Sequence, residues 1–218
     1  MRRVVVLAAS SLAVLVLAGA ALLLSGDDAP QAAGVAETAP APGDPLTPGE
    51  VRRATEIAMV GSRGHLAAGR AELLYVERDD DKAEQDSRRA EAYIYDYTAD
   101  SLIVRTVDLG EGKVVKESAG KGVQPPPSPH EELRAGELLL ADPKLGKAVR
   151  QAYARAAGRP LRSAADLGLR GLIYTAPSGP CATHRCVRLF VRLPGGKFLD
   201  TSRIVIDLSA GQVRTLEW

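Results

Sequence analysis

The stretch VDLGEGKV at residues 107–114 returns as IDLSAGQV at residues 206–213. Both copies read aliphatic-Asp-Leu-x-x-Gly-x-Val. An Asp side chain accepts hydrogen bonds from backbone N–H groups in tight turns, and Gly adopts a positive φ at little cost. Because aliphatic residues flank each turn, the stretch predicts a β-hairpin. Its recurrence predicts that one structural unit occurs twice in the chain.

A second repeated pattern opens each unit. The sequences TPGE at residues 47–50 and SPHE at residues 128–131 both predict a helix N-terminus. In each, the hydroxyl and the Glu form a capping box, and Pro occupies the first turn, where its missing N–H costs nothing. The two helix starts are 81 positions apart and the two hairpins are 99 apart, so the second unit holds 18 additional residues. A further helix over residues 143–157 accounts for this extra length.

Alternating apolar and polar residues predict four strands in each unit. The fold class is therefore predicted to be α+β, with two tandem modules that each contain a helix followed by a four-stranded antiparallel sheet. The first module covers residues 47–119, and the second covers residues 128–218. A proline-rich connector joins them. The predicted strands cover residues 71–77, 90–97, 102–109, 113–117, 172–175, 187–193, 204–208 and 213–218.

Residues 1–25 contain an apolar run of 21 residues from Val4 to Leu24, preceded by two arginines. A helix of that length spans a bilayer core of about 30 Å. Two hypotheses stay open: a single-pass anchor with its N-terminus in the cytoplasm, or a cleaved signal peptide. Residues 26–46 are rich in Ala, Pro and Gly and predict a disordered linker. Under both hypotheses the remainder is extracytoplasmic, either membrane-anchored or secreted.

Cys181 and Cys186 are the two cysteines of the chain. Outside the cytoplasm, a pair this close most simply forms a disulfide. The alternatives are free thiols and a metal site that includes His184. Such a cluster offers fewer ligands than a structural zinc site requires.

Tyr93, Tyr95 and Tyr97 alternate along one predicted strand and therefore share one face of the sheet. The functional hypothesis is a partner-binding face, since tyrosine is enriched in protein interfaces. The alternative is cross-strand aromatic packing within the chain.

The charge is nearly balanced, with 28 basic and 27 acidic residues, so nothing favours a nucleic-acid partner. The Gly-x-Ser-x-Gly and phosphate-loop motifs are absent from the sequence. His130-Glu131 opens a helix but lacks the second histidine of a zinc protease motif. We therefore predict no catalytic, cofactor-binding or metal-binding residues.

The capped helix start at residues 46–50 and the hairpins at Asp108 and Asp207 resemble the small N-terminal domains of copper amine oxidases, which are cystatin-like α+β modules. The resemblance covers residues 47–218. In that family these domains are accessory and non-catalytic. The redox site of the family needs an Asn-Tyr-acid motif and copper-binding histidines. This chain has no Asn and only three histidines, so the resemblance implies no oxidase activity. It implies an actinobacterial exported protein built of accessory modules alone.

These observations predict a non-enzymatic extracytoplasmic binding or scaffold protein whose partner is another protein or a component of the cell envelope. The N-terminal helix would add a contact with the membrane if it is not cleaved. The alternative prediction is a cystatin-like regulator or inhibitor of an exported peptidase. The Gln-x-Val-x-Gly wedge that cystatins use is absent from this sequence.

Overall fold

The computed structural model describes residues 40–81 and 86–216. The predicted membrane or signal segment at residues 1–25 lies outside the described residues, as does most of the predicted linker. Within the described ranges, no helix combines the length and the apolar character needed to cross a membrane. Residues 40–218 form one compact unit. All residues of its apolar clusters lie between Leu46 and Leu216, so this unit contains its own core.

The predicted α+β fold class, with two four-stranded antiparallel sheets, is confirmed. The strands of the first sheet lie in the order β1-β2-β3-β4, and those of the second lie in the order β5-β6-β7-β8. The helices are α1 (Pro48–Ala58), α2 (Arg63–Ala67), α3 (Pro129–Ala141) and α4 (Leu145–Ala157). The strands are β1 (Ala71–Arg78), β2 (Arg89–Asp96), β3 (Ser101–Asp108), β4 (Lys113–Lys121), β5 (Gly168–Ile173), β6 (Cys186–Arg192), β7 (Ile204–Asp207) and β8 (Gln212–Thr215).

Both predicted capping boxes are formed. The Thr47 hydroxyl accepts from the Glu50 amide, and the Glu50 carboxylate accepts from the Thr47 amide at 2.8 Å. Ser128 and Glu131 repeat the arrangement, with the Glu131 carboxylate accepting from the Ser128 amide at 3.0 Å. Each box satisfies amides at the helix N-terminus that the helix itself leaves without partners.

The repeated hairpin turns are also formed. The Asp108 carboxylate accepts from the amide three residues later at 2.8 Å, and the Asp207 carboxylate does the same at 2.9 Å. Gly112 and Gly211 have φ values of 68° and 65°, the left-handed conformation that glycine tolerates best. The two modules therefore share their turns as well as their helix starts.

The largest differences from the sequence-based expectation are at β4, β5 and α2. Strand β4 extends to Lys121, beyond the predicted end at residue 117. Strand β5 begins at Gly168, whereas the predicted start was residue 172. The prediction began too late because Arg170 and Gly171 interrupt the apolar pattern of the strand. The short helix α2 was not predicted. Helix α4 begins at Leu145, two residues after the predicted start at residue 143, and the Asp142 carboxylate accepts from the Leu145 amide at 2.7 Å.

Each sheet packs one face on a helix. Helix α1 places Ala54 and Ala58 against Ala90 and Ala92 of the first sheet, and these four alanines are fully buried. Helix α3 covers the inner face of the second sheet, including Val187, Leu189 and Val191. Buried residues on the other face of the first sheet, namely Leu74, Tyr95, Tyr97 and Leu102, belong to the same apolar cluster as α3. The elements are therefore stacked in the order α1, first sheet, α3, second sheet.

Candidate functional site

The tyrosine face of the first sheet contacts the second module of the same chain. Tyr95 and Tyr97 are only 1% and 6% exposed and pack in the cluster that includes α3. Tyr93 is half-buried and stacks on Tyr75 with 4.4 Å between ring centroids. The side chains of Tyr95 and Tyr97 are therefore not exposed for contact with another protein, and the prediction of a partner-binding face is wrong at these two positions. These rings supply the apolar area that covers the side of α3 turned away from the second sheet.

A buried ion pair lies at this junction between the modules. The pair consists of Arg185, the residue before β6, and Glu131, in the first turn of α3. Both side chains are fully buried. The Arg185 Nε and a terminal guanidinium nitrogen donate to the two carboxylate oxygens at 2.6 and 2.7 Å. The Tyr97 hydroxyl donates to the same carboxylate at 2.8 Å. Tyr97, which directly follows β2 of the first module, is thereby bonded to the ion pair of the second module.

The remaining donors of Arg185 bind the connector between the modules. They reach Oε1 of Gln124 at 3.2 Å, the carbonyl of Pro125 at 3.0 Å and the carbonyl of Pro126 at 3.3 Å. The guanidinium carbon lies 4.8 Å from the centroid of the Tyr95 ring. With these bonds every N–H of the guanidinium has an acceptor, which a buried arginine requires. The connector, α3 and β6 are therefore held at one point.

The first module contains the equivalent pair. Arg88 precedes β2 as Arg185 precedes β6, and its guanidinium binds both carboxylate oxygens of Glu50 at 2.7 and 2.8 Å. Its terminal nitrogens donate to the carbonyls of Asp44 and Pro45, which precede α1. In each module an arginine thus joins the capping-box Glu to the segment before the helix. The side chains of Arg88 and Glu50 are 14% and 19% exposed, so this pair lies closer to water.

Sequence reasoning assigned no role to these arginines. The signal was present, because Arg88 and Arg185 lie 97 positions apart and stand at the same place in each module. An arginine at that place can reach back to the helix start. The capping motif accounts for Glu50 and Glu131 locally and does not indicate their further pairing across the module.

Hydrogen bonding and burial shift the pKa values of several groups at these sites. The hydrogen bond from Arg88 lowers the pKa of Glu50 to about 2, against the opposing effect of burial. Burial raises the pKa of Tyr95 to about 12. Burial, followed by the adjacent Glu131 carboxylate, raises the pKa of Tyr97. Both tyrosines are therefore neutral near pH 7 and act as hydrogen-bonding groups.

A second polar cluster joins the β2–β3 turn to the β7–β8 turn. Nδ1 of His184 lies 2.9 Å from the buried carboxylate of Asp207, and Nε2 lies 3.9 Å from Asp100. The Ser209 hydroxyl donates to Asp100 at 2.5 Å and accepts from the Arg185 amide at 3.0 Å. Asp100 adopts a φ of 47°, which is uncommon for a residue other than glycine. The cluster therefore connects a turn of the first module to a turn of the second.

This cluster contains Ser, His and Asp, but its bonding does not match a nucleophilic triad. In a triad the serine hydroxyl bonds to the histidine nitrogen that accepts its proton. Here the Ser209 hydroxyl donates to the carboxylate of Asp100. Burial raises the pKa of Asp207, but hydrogen bonds from the Ala210 amide, His184 and Arg214 outweigh it and lower the pKa overall. The arrangement can hold two turns together, and we assign it no chemical step.

The predicted disulfide between Cys181 and Cys186 is confirmed. Both residues are buried, and the loop that they close contains His184 and Arg185. The sulfur atoms lie near a carboxylate oxygen of Asp207, all within 4.8 Å of one another. Because the sulfurs are bonded to each other, they offer no thiolate for a metal. On the chain-entropy estimate, this closure stabilises the fold by ~2 kcal/mol.

The chain is similar in structure to a copper-containing benzylamine oxidase from Hansenula polymorpha. The TM-score is 0.50 at 11% sequence identity, and the match covers 82% of this chain and 30% of the oxidase chain. No protein-family model matches the sequence, and no curated protein matches it. At this identity the likeness shows the fold alone, and it agrees with the resemblance to copper amine oxidases noted in the sequence.

Proposed function

We propose that this chain is a non-enzymatic extracytoplasmic binding protein that presents one sheet face to a component of the cell envelope. The observation that carries the proposal is the order of the layers. The first sheet is covered on one face by α1 and on the other by the second module. The outer face of the second sheet comes last in the stack, and its β5–β6 half carries exposed apolar side chains.

Large apolar side chains are exposed to solvent on this face of the second sheet. The chain contains two phenylalanines, and both are exposed there: Phe190 is 40% and Phe198 is 64% accessible. Leu172 on the neighbouring strand is 59% accessible. Single exposed apolar residues are common, whereas a group on one face is typical of an interaction surface.

Three further observations support the proposal. The disulfide is typical of an oxidising compartment outside the cytoplasm. The apolar run at residues 4–24 supports export, as a retained anchor or a cleaved signal. At the junction between the modules Arg185 bonds to Glu131 and Arg214 bonds to Asp207, which gives these groups a role in supporting the fold.

The test is the binding of purified residues 40–218 to isolated cell envelopes, measured as a saturation curve. We expect saturable binding that a Phe190→Ser/Phe198→Ser variant weakens by about tenfold, since two exposed aromatic contacts are lost. Val60→Ser removes an apolar residue that is 65% exposed in the first module and is the matched control. Envelope binding that is not saturable, or that both variants reduce equally, would contradict the proposal.

A further inference from the structure

The exposed half of the second sheet alternates arginines with apolar residues. Residues 187, 189 and 191 point towards α3, so the intervening residues of β6 point outward. Strand pairing places Arg170 opposite Phe190 and Leu172 opposite Arg188, while a β-bridge pairs Arg192 with Phe198. We call this surface the arginine–phenylalanine face; its members are Arg170, Leu172, Arg188, Phe190, Arg192 and Phe198.

The three arginines of this face share one ion-paired carboxylate, that of Glu132, among the described residues. Arg170 has a side chain that is 84% exposed, and its ion pair with Glu132 is long, at 3.4 Å. No ion pair is formed by Arg188 or Arg192 within the part of the chain that the structure describes. The Arg188 guanidinium lies over the Tyr174 ring at 5.2 Å, and its Nε has no hydrogen-bond partner among the described residues. The face therefore carries net positive charge.

The loop after Tyr174 limits the face on one side. It covers the β7 part of the outer surface, where Cys186 and Val205 are fully buried. On the other side a groove of about 690 Å³ runs between the β5 edge and the hairpin that carries Phe198. Arg170 and Arg192 line this groove together with Glu132, which pairs with Arg170, and Asp166, which pairs with Arg159. A ligand that enters the groove would therefore contact both guanidinium groups and the apolar ring of Phe198.

We propose that the arginine–phenylalanine face binds an anionic phospholipid surface; this inference rests on the proposed binding function. Arginines meet headgroup phosphates with planar, bidentate hydrogen bonds. Exposed Phe and Leu side chains gain free energy when they enter the boundary between headgroups and acyl chains. The face supplies both kinds of group at one surface, with three arginines and three exposed apolar side chains.

The sequence gives a reason to choose a membrane over an acidic protein as the occupant. The apolar run at residues 4–24 has the length and composition of a bilayer-spanning helix, and residues 26–46 are rich in Ala, Pro and Gly. Where the apolar run is retained as an anchor, the face needs only weak affinity for lipid, because its local concentration at the membrane is high.

The experiment is vesicle co-sedimentation of purified residues 40–218, a unit that contains its own core and lacks the apolar run. Vesicles of phosphatidylcholine are compared with vesicles that also contain phosphatidylglycerol. We expect binding to the anionic vesicles that weakens at high salt, since charges near a surface are screened. Arg170→Gln and Arg192→Gln should each weaken binding about fivefold, in line with the contribution of one basic residue near an anionic surface.

The matched control is Arg52→Gln, an exposed arginine on α1 at the opposite end of the stack, which should leave vesicle binding unchanged. Equal binding to neutral and anionic vesicles, or equal losses in all three variants, would overturn the lipid assignment. Vesicle binding that fails while envelope binding persists and is abolished by protease would assign the face to an acidic protein. That result would reject the lipid assignment and keep the proposed envelope-binding function. If neither vesicles nor envelopes were bound, both proposals would be rejected.

Discussion

Replacing Arg185 by Leu tests whether the buried ion pair holds the modules together. Arg185 and Glu131 have no exposed side-chain surface, so Arg185→Leu leaves a carboxylate buried without its cation. Breaking a fully buried pair from one side costs ~3–5 kcal/mol. The Glu131 carboxylate keeps only the Tyr97 hydroxyl and the Ser128 amide as donors, so we expect a cost within that range.

The first module supplies a matched control. Arg88 binds Glu50 with the same geometry, but their side chains are 14% and 19% exposed. Water can solvate the carboxylate that Arg88→Leu leaves behind, and the expected cost falls to ~1–2 kcal/mol, between those of surface and buried pairs. The two variants therefore compare one interaction at two levels of burial.

Urea unfolding of the purified chain measures both costs. With a slope of about 2 kcal/mol/M, Arg185→Leu should lower the unfolding midpoint by roughly 2 M, and Arg88→Leu by less than about 1 M. Arg185→Lys should fall between wild type and Arg185→Leu, because an ammonium keeps the charge but cannot serve both the carboxylate and the connector carbonyls.

A double variant separates the charge from the packing. In Arg185→Leu/Glu131→Gln the uncompensated charge is gone, so part of the lost stability should return. Equal midpoints for Arg185→Leu and Arg88→Leu would refute the argument, because burial would then not set the cost. A double variant less stable than Arg185→Leu would also refute it.

Two further predictions concern the acid range and the contact between α3 and α4. The hydrogen bond from Arg88 lowers the pKa of Glu50 from 4.5 to about 2, so it stabilises the fold above pH 4.5 and this contribution is lost as the pH falls towards 2. Urea unfolding in that range should show a shallower loss of stability for Arg88→Leu than for wild type, and parallel curves would contradict this. A methyl group added at Gly146 would overlap the carbonyl oxygen of Leu140, so Gly146→Ala should cost ~1–3 kcal/mol. Gly64→Ala, where the added methyl meets no neighbouring atom within 4 Å, should cost no stability in urea unfolding, and equal losses for both variants would count against the overlap.

The repeated fold was predictable because its signals are local. The capping box at residues 47–50, the glycine of each hairpin turn and the alternation along β6 each involve neighbours in sequence. The disulfide was predictable for the same reason, since its cysteines are five positions apart. The start of β5 was misplaced because glycine and arginine break the apolar pattern while backbone pairing with β6 continues.

The site at the junction was not predictable from local signals. Three alternating tyrosines indicate a shared face, but sequence does not say what covers it. Tyr97 meets Glu131 across 34 positions, and Arg185 meets Glu131 across 54. Such contacts exist only once α3 lies between the sheets. The prediction of a surface for another protein failed at Tyr95 and Tyr97 because the second module is itself the covering element.

The sequence alone determined the two helix–sheet modules, their order and their disulfide, because caps, turns and alternation act over a few residues. The tertiary structure alone decided which faces are buried. Packing α3 between the sheets buries the tyrosines with a charged pair, and it leaves Phe190 and Phe198 on the last open face. The physical reason is that burial depends on what lies opposite a surface, and in this chain the opposing residues are distant in sequence.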